Sequence, residues 1–255
     1  MKAQQYKETR PAEHFTPFHE RTRRQRAGWT YELTRMGLTL YLLPLFRARC
    51  IDSQHVPDYG PVIVAPNHFS FLDHFFAAVF LRRKMQFMSK SQLFKPPMQF
   101  IYTHGGVFPV RRGHRDEEAF KTAHAILARG GVVVMYAEGG RSRTGELGEP
   151  KAGIGRLALE SGARIVPTAI AGSHRARNWR RLQFPKVTVQ FGSPIRFERV
   201  ESPSTEQALA ASRVIFEDVQ HLYRGLLEGG RRRAVKAARA ARRAAAAAAR
   251  RPATE

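Results

Sequence analysis

His68 and Asp73 are the two residues of this chain whose types and spacing best fit catalysis. They lie in the stretch Asn67-His68-Phe69-Ser70-Phe71-Leu72-Asp73, just after the apolar run 61–66. A histidine whose second ring nitrogen is held by a carboxylate is a competent general base near neutral pH. At this spacing Asp73 can turn back to the imidazole or cap a helix that follows. The bare spacing also fits a surface loop histidine beside a capping aspartate. Further along, Arg111 ends the run 106–110 with Arg112 beside it, and Arg141 follows Glu138-Gly139-Gly140. An arginine fork donates to two phosphate oxygens at once, and glycines let backbone approach a ligand closely. Alternation along a strand would send Arg111 and Arg112 to opposite sides. Arg141 and the weaker Lys151 are further phosphate candidates. Taken alone, each cation also fits a solvated surface position.

These residues need a rigid frame, and the pattern around them is of the α/β kind. Short apolar runs predict strands at 61–66, 85–88, 106–110, 131–136, 164–170 and 186–191. Helical periodicity predicts helices near 74–83, 92–102, 116–129, 152–161 and 205–227. Asp116, Glu117 and Glu118 suit the positive end of one helix, and Gly130-Gly131 closes it. The expected fold is a mixed, mostly parallel sheet flanked by helices, preceded by an amphipathic helical segment. His68 then falls where a strand yields to a loop, a place that holds a side chain firmly yet leaves it reachable.

The stretch 67–73 resembles the Asn-His-x-Ser-x-x-Asp motif of the glycerolipid acyltransferases of the 1-acyl-sn-glycerol-3-phosphate type. Three further stretches match the same family in order: Gly106-Val107-Phe108-Pro109-Val110-Arg111, Glu138-Gly139-Gly140-Arg141-Ser142-Arg143-Thr144-Gly145, and Ile165-Val166-Pro167. The resemblance covers about residues 51–195. It implies acyl transfer from acyl-CoA or an acyl-carrier protein to the hydroxyl of lysophosphatidic acid, with no metal or covalent cofactor. It also implies roles: His68 as base with Asp73, and Phe108, Arg111, Glu138, Gly139 and Arg141 around the acceptor. Asn67, Arg112, Lys151 and Pro167 are assisting candidates. The third motif departs from the common Phe-Pro-Glu-Gly-Thr-Arg-Ser, reading Tyr136-Ala137-Glu138-Gly139-Gly140-Arg141-Ser142 here. Loss of the threonine bears on the acceptor's identity more than on the reaction.

Charge and composition set the partners. The chain has 255 residues and a net charge of +22, which calls for an anionic partner: membrane phosphates, an acidic substrate or nucleic acid. A single cysteine, Cys50, excludes an internal disulfide framework and suits a reducing compartment. Residues 1–28 read as a basic, solvated arm without a secretory signal. Residues 29–50 form an amphipathic segment in which Trp29, Leu33, Met36, Leu40 and Leu43 share one helical face. Its apolar centre spans roughly 16 Å, half a bilayer, so it should lie in the interface or on the protein's own core. Pro44 is expected to kink it. The α/β domain occupies 51–228. The Ala/Arg tail 229–255 places Arg232, Lys236, Arg239, Arg243 and Arg250 on one face, with too little apolar area opposite to dock firmly. The expected location is peripheral, on the cytoplasmic face of a membrane and bound to anionic lipid.

Chemistry narrows the alternatives. No Gly-x-Ser-x-Gly elbow occurs, so Ser70 is not expected to be a nucleophile. His74 beside Asp73 raises a metal pair with His68, which no further Cys or His cluster supports. Three competing readings stand: an acyltransferase for another lysolipid, a thioester hydrolase, and a non-catalytic basic protein that binds membrane or nucleic acid.

Overall fold

Every residue of the run Val62–Pro66 is buried, which explains why it shows no polar alternation: it is a parallel strand covered on both faces. The computed structural model describes residues 8–111, 113, 114, 116–142, 144–176, 182 and 184–249. Its strands, in chain order, are β1 (Arg49–Ile51), β2 (Val62–Pro66), β3 (Met85–Lys90), β4 (Val107–Val110), β5 (Val132–Val134), β6 (Arg164–Ala171) and β7 (Thr188–Phe191). They form one sheet in the order β1-β7-β6-β2-β5-β3-β4. The β6–β7 pair is antiparallel and every other pair is parallel. The fold class read from the sequence is the one observed. Because β2, β3, β4 and β5 run the same way, the loops leaving them gather at one end of the sheet, where ligands of such sheets are held.

The helices are α1 (Thr16–Arg24), α2 (Trp29–Leu45), α3 (Asp73–Ala78), α4 (Met98–His104), α5 (Glu117–Ala128), α6 (Ala152–Ser161) and α7 (Thr205–Ala249). Alternation along the strands builds two cores. Val62, Val64, Phe87 and Val107 pack with Leu42 and Phe76 on one face. Ile63, Phe108 and Val133 pack with Ile126, Leu157 and Phe216 on the other. Helices α6 and α7 approach so closely that a Cβ at Gly155 would lie 1.9 Å from the Ala208 carbonyl oxygen.

In three stretches the structure corrects an expectation or decides between two. First, the N-terminal arm is not simply solvated. Phe15 and His19 are 1 % exposed and dock with α1 on α5 and β4. Phe15, Phe18, His19 and Thr22 recur at helical spacing, which gives this basic segment an inward face. His19 Nδ1 lies 2.9 Å from the Thr122 hydroxyl, and burial pushes that imidazole down to about 4. Second, of the two alternatives for α2, most of its apolar face points outward: Trp29, Leu33, Met36 and Leu40 are 64, 53, 60 and 75 % exposed, while Leu43 packs on the core. The core side is supplied by Tyr31, Leu38 and Leu42. Pro44 sits in the last turn, so it ends the helix rather than bending its middle.

Third, the tail docks. Gly230 turns the chain at φ 65°, and α7 resumes beyond it. Ala238 is buried beside Ile51, Tyr223 and Leu226, with Ala234 and Val235 packed against the same cluster. Alanines allow that close approach despite their small area. Arg242 adds an ion pair with Asp52 at 3.2 Å. Arg250 lies outside the described residues. Cys50 is half-buried, and burial pushes its thiol up to about 12, so it is no nucleophile.

Candidate active site

The site grows from the end of β2. Asn67 is fully buried, and its amide staples β2 to β6: Nδ2 donates to the Ile170 carbonyl at 3.1 Å, and Oδ1 accepts the Ile170 N–H at 2.7 Å. Its role is to fix the strand end that carries His68. Asp73 is completely buried at the start of α3. One carboxylate oxygen, Oδ2, receives the Phe69 and Ser70 N–H groups at 2.7 Å each and sits 2.9 Å from His68 Nδ1. The loop thus wraps around the carboxylate, and the carboxylate fixes the imidazole's tautomer and tilt. The Ser70 hydroxyl accepts the Leu72 N–H at 3.2 Å, as a loop-holding serine does.

The loop after β5 closes the site from the other side. Tyr136 stacks on the His68 ring, with centroids 3.8 Å apart and planes at 17°. Burial and the nearby Asp73 charge hold its hydroxyl well above the usual phenol range, so it stays a neutral donor. That hydroxyl oxygen is buried and has no hydrogen-bond partner among the described residues. Glu138 is 6 % exposed, and its oxygens accept the backbone N–H groups of His68 and Gly148, both at 2.9 Å. It therefore ties the loop after β2 to the loop after β5 and braces the latter upon itself, a positioning role. Burial raises its carboxyl above the ordinary value. Gly139 is exposed at φ 64°, and a Cβ there would lie 3.0 Å from the Lys151 side chain, which crosses it.

The remaining candidates divide. Arg141 is exposed beside the site, and its charge acts on both His74 and Tyr136. Lys151 is exposed at the start of α6. Arg111 is half-buried, with its Nη2 donating to the Arg10 carbonyl at 3.1 Å, so the N-terminal segment shares in placing it. Arg112 lies outside the described residues. Pro167 is buried in β6 opposite Ala65 and takes the Gly192 N–H at 2.7 Å. Phe108 is fully buried in the core on the far face of the sheet, whereas its neighbour Val107 faces the site. Among the described residues no group of three or more His, Cys, Asp or Glu side chains could hold a metal.

Beside the dyad opens an apolar groove of about 230 Å³ between α2, α3 and α4. Leu38, Phe75, Ala78, Phe87 and Ile101 wall it, and His74 and Tyr136 line the same groove. His74 is pushed down to about 3 by burial, then by the charges of His68 and Arg141, so it serves as a neutral wall. Sequence reasoning missed this groove and the part Tyr136 plays; the one visible signal was Tyr136 at the phenylalanine position of the third motif. The assembled parts can bind an acyl chain in the groove, move a proton at the imidazole and hold an anion at Arg141. Among the described residues, no helix is long and apolar enough to cross a membrane.

Residues 47–171 match the profile of the Acyltransferase family. The chain is 26 % identical over 145 residues to a chloroplastic 1-acyl-sn-glycerol-3-phosphate acyltransferase of Arabidopsis thaliana, covering 55 % of this chain and 40 % of that protein. It is 25 % identical over 154 residues to a chloroplastic enzyme of the same description from Brassica napus, covering 59 % and 44 %. The chain thus spans about two fifths of the length of these relatives. The crystal structure of the 1-acyl-sn-glycerophosphate acyltransferase PlsC from Thermotoga maritima shares the fold, with a TM-score of 0.55 at 18 % identity over 82 % of this chain and 88 % of that one. Residues 47–171, which carry all four motifs and just under half of the chain, match the acyltransferase family, and the fold that holds them is shared with the Thermotoga structure.

Proposed function

We propose that this protein transfers an acyl group from an acyl thioester, carried by CoA or an acyl-carrier protein, to the free hydroxyl of lysophosphatidic acid. The observation that carries the reading is the buried His68–Asp73 pair, 2.9 Å apart, beside an apolar groove. With Nδ1 committed to Asp73, His68 Nε2 takes the acceptor's hydroxyl proton as that oxygen bonds to the thioester carbon. The tetrahedral intermediate then collapses, the C–S bond breaks, and the imidazolium returns its proton to the departing sulfur. The thioester is already activated, so no acyl-enzyme is required. Positioned proton transfer contributes roughly 10²–10⁴ in rate, and orientation and charge stabilisation supply the rest. Arg141 holds the acceptor phosphate, with Arg111 at the end of β4 as the second candidate.

The outward face of α2 lies in the membrane interface in this reading. Two observations support it: the exposed Trp29, Leu33, Met36 and Leu40, and the exposed Phe100 and Ile101 on α4. Both helices also wall the groove, so acyl chains could enter from lipid without crossing water. Gly140, in place of the usual threonine, favours one second reading: the same chemistry on another lysolipid.

A labelled acyl thioester offered with a panel of lysolipids tests the proposal. Product should depend on the acceptor, be greatest with lysophosphatidic acid, and vanish in a folded His68→Ala variant. Equal turnover in His68→Ala would remove the base from the mechanism. Thioester cleavage that needs no lysolipid would favour a hydrolase.

A further inference from the structure

Arg47, Arg49, Lys186, Arg231 and Arg232 line a single open cleft of about 860 Å³. They come from three separate stretches: the exit of α2 into β1, the segment entering β7, and the turn at Gly230. Arg231 is fixed there by neutral acceptors. Its Nε donates to the Thr188 hydroxyl at 2.8 Å, Nη1 to the Arg47 carbonyl at 2.8 Å and Nη2 to the Val187 carbonyl at 2.7 Å. None of the five takes part in an ion pair among the described residues. Burial, followed by repulsion from Arg49 and Arg47, pulls the Arg231 guanidinium below its ordinary range. A cleft lined by one sign of charge draws in the opposite sign.

Its position says which anion. The cleft opens along the β1–β7 edge and reaches Ala171 and Gly172 at the end of β6, on one side of β2, whereas Arg141 follows β5 on the other side. The acceptor's own phosphate sits one glycerol unit from the reacting hydroxyl and cannot reach both places. The cleft does adjoin the outward face of α2: Leu40 and Leu45 are 75 and 38 % exposed, and Arg47 follows two residues later. A group seated between these cations would lie level with lipid headgroups when that face is immersed.

We propose that this cleft binds the phosphate of an anionic membrane phospholipid distinct from the acceptor. It rests on the reading that α2 docks on the membrane, and adds a second, electrostatic anchor at the β1 edge. The test uses the full chain with vesicles of phosphatidylcholine alone and with added phosphatidylglycerol. The triple variant Arg49→Ala/Lys186→Ala/Arg232→Ala keeps the clamping Arg231. A charge-matched control, Arg164→Ala/Arg213→Ala/Arg224→Ala, removes three exposed cations elsewhere. The unaltered protein should bind the anionic vesicles more tightly. The cleft variant should lose on the order of a hundredfold of that affinity, with binding to neutral vesicles and melting temperature unchanged, and the control should lose little. Equal losses in cleft variant and control would overturn the site, leaving only net charge. Displacement by inorganic phosphate at matched ionic strength would assign the cleft to a soluble phosphate and overturn the lipid assignment. If the unaltered protein binds neither vesicle, the membrane reading falls and takes this proposal with it.

Discussion

Replacing Asp73 by asparagine probes the mechanism most directly. The carboxylate is fully buried and 2.9 Å from His68 Nδ1, so it faces the imidazolium that forms when the base takes its proton. Two unit charges about 4 Å apart at an effective dielectric constant near 20 attract by about 4 kcal/mol. Losing that term should lower kcat about a thousandfold. Asp73 touches the loop and the imidazole, so KM for donor and acceptor should move little. The same oxygen accepts the Phe69 and Ser70 N–H groups. Asparagine keeps an oxygen that can serve them, so stability should fall by only about 1–3 kcal/mol.

The assay is thiol release under saturating donor and acceptor, run beside denaturant melts of the same preparations. A double variant sharpens it. If Asp73 acts through the imidazole, Asp73→Asn should cost nearly nothing more in a His68→Ala background. A folded Asp73→Asn protein within tenfold of the parent's kcat would refute the pairing. So would costs that simply multiply in the double variant.

Three other outcomes follow from the geometry. Tyr136→Phe keeps the ring stacked on His68 and removes a buried, unpartnered hydroxyl. It should leave the melting temperature unchanged or higher while lowering kcat roughly fivefold, the worth of about one hydrogen bond; an unchanged kcat would deny the hydroxyl a part in the reaction. Ala78→Phe fills the apolar groove and should shift kcat/KM towards shorter acyl chains by about fourfold per methylene, from about 0.8 kcal/mol each; an unaltered chain-length profile would place the acyl chain elsewhere. His19 and His74 drop from 6.5 to about 4 and about 3 on folding, so below 6.5 the unfolded chain binds more protons than the folded one. Stability should therefore fall as pH drops from 6.5 towards those values, by up to about 1.4 kcal/mol per pH unit for each ring. His19→Asn/His74→Phe should flatten that slope in melts across the range, and a slope kept intact would exclude burial of these rings as its cause.

Sequence alone determined every strand run except the short β1, the order of the motifs and the candidacy of His68 and Asp73, because each rests on neighbours a few residues apart; that the two side chains meet was decided by the fold. Strand alternation says that Val107 and Phe108 face opposite ways; it does not say which faces the groove. Only packing of the sheet against α2, α3 and α4 settled that. The face of α2 was legible as a periodicity, yet its direction was not, since the same leucines can pack inward or face lipid. Tyr136 and Glu138 meet His68 because β5 lies beside β2, a neighbour relation between residues some seventy positions apart. Local spacing cannot reach that far. Such contacts are set by which strands pair and by how completely the chain buries its apolar surface, and both belong to the folded whole.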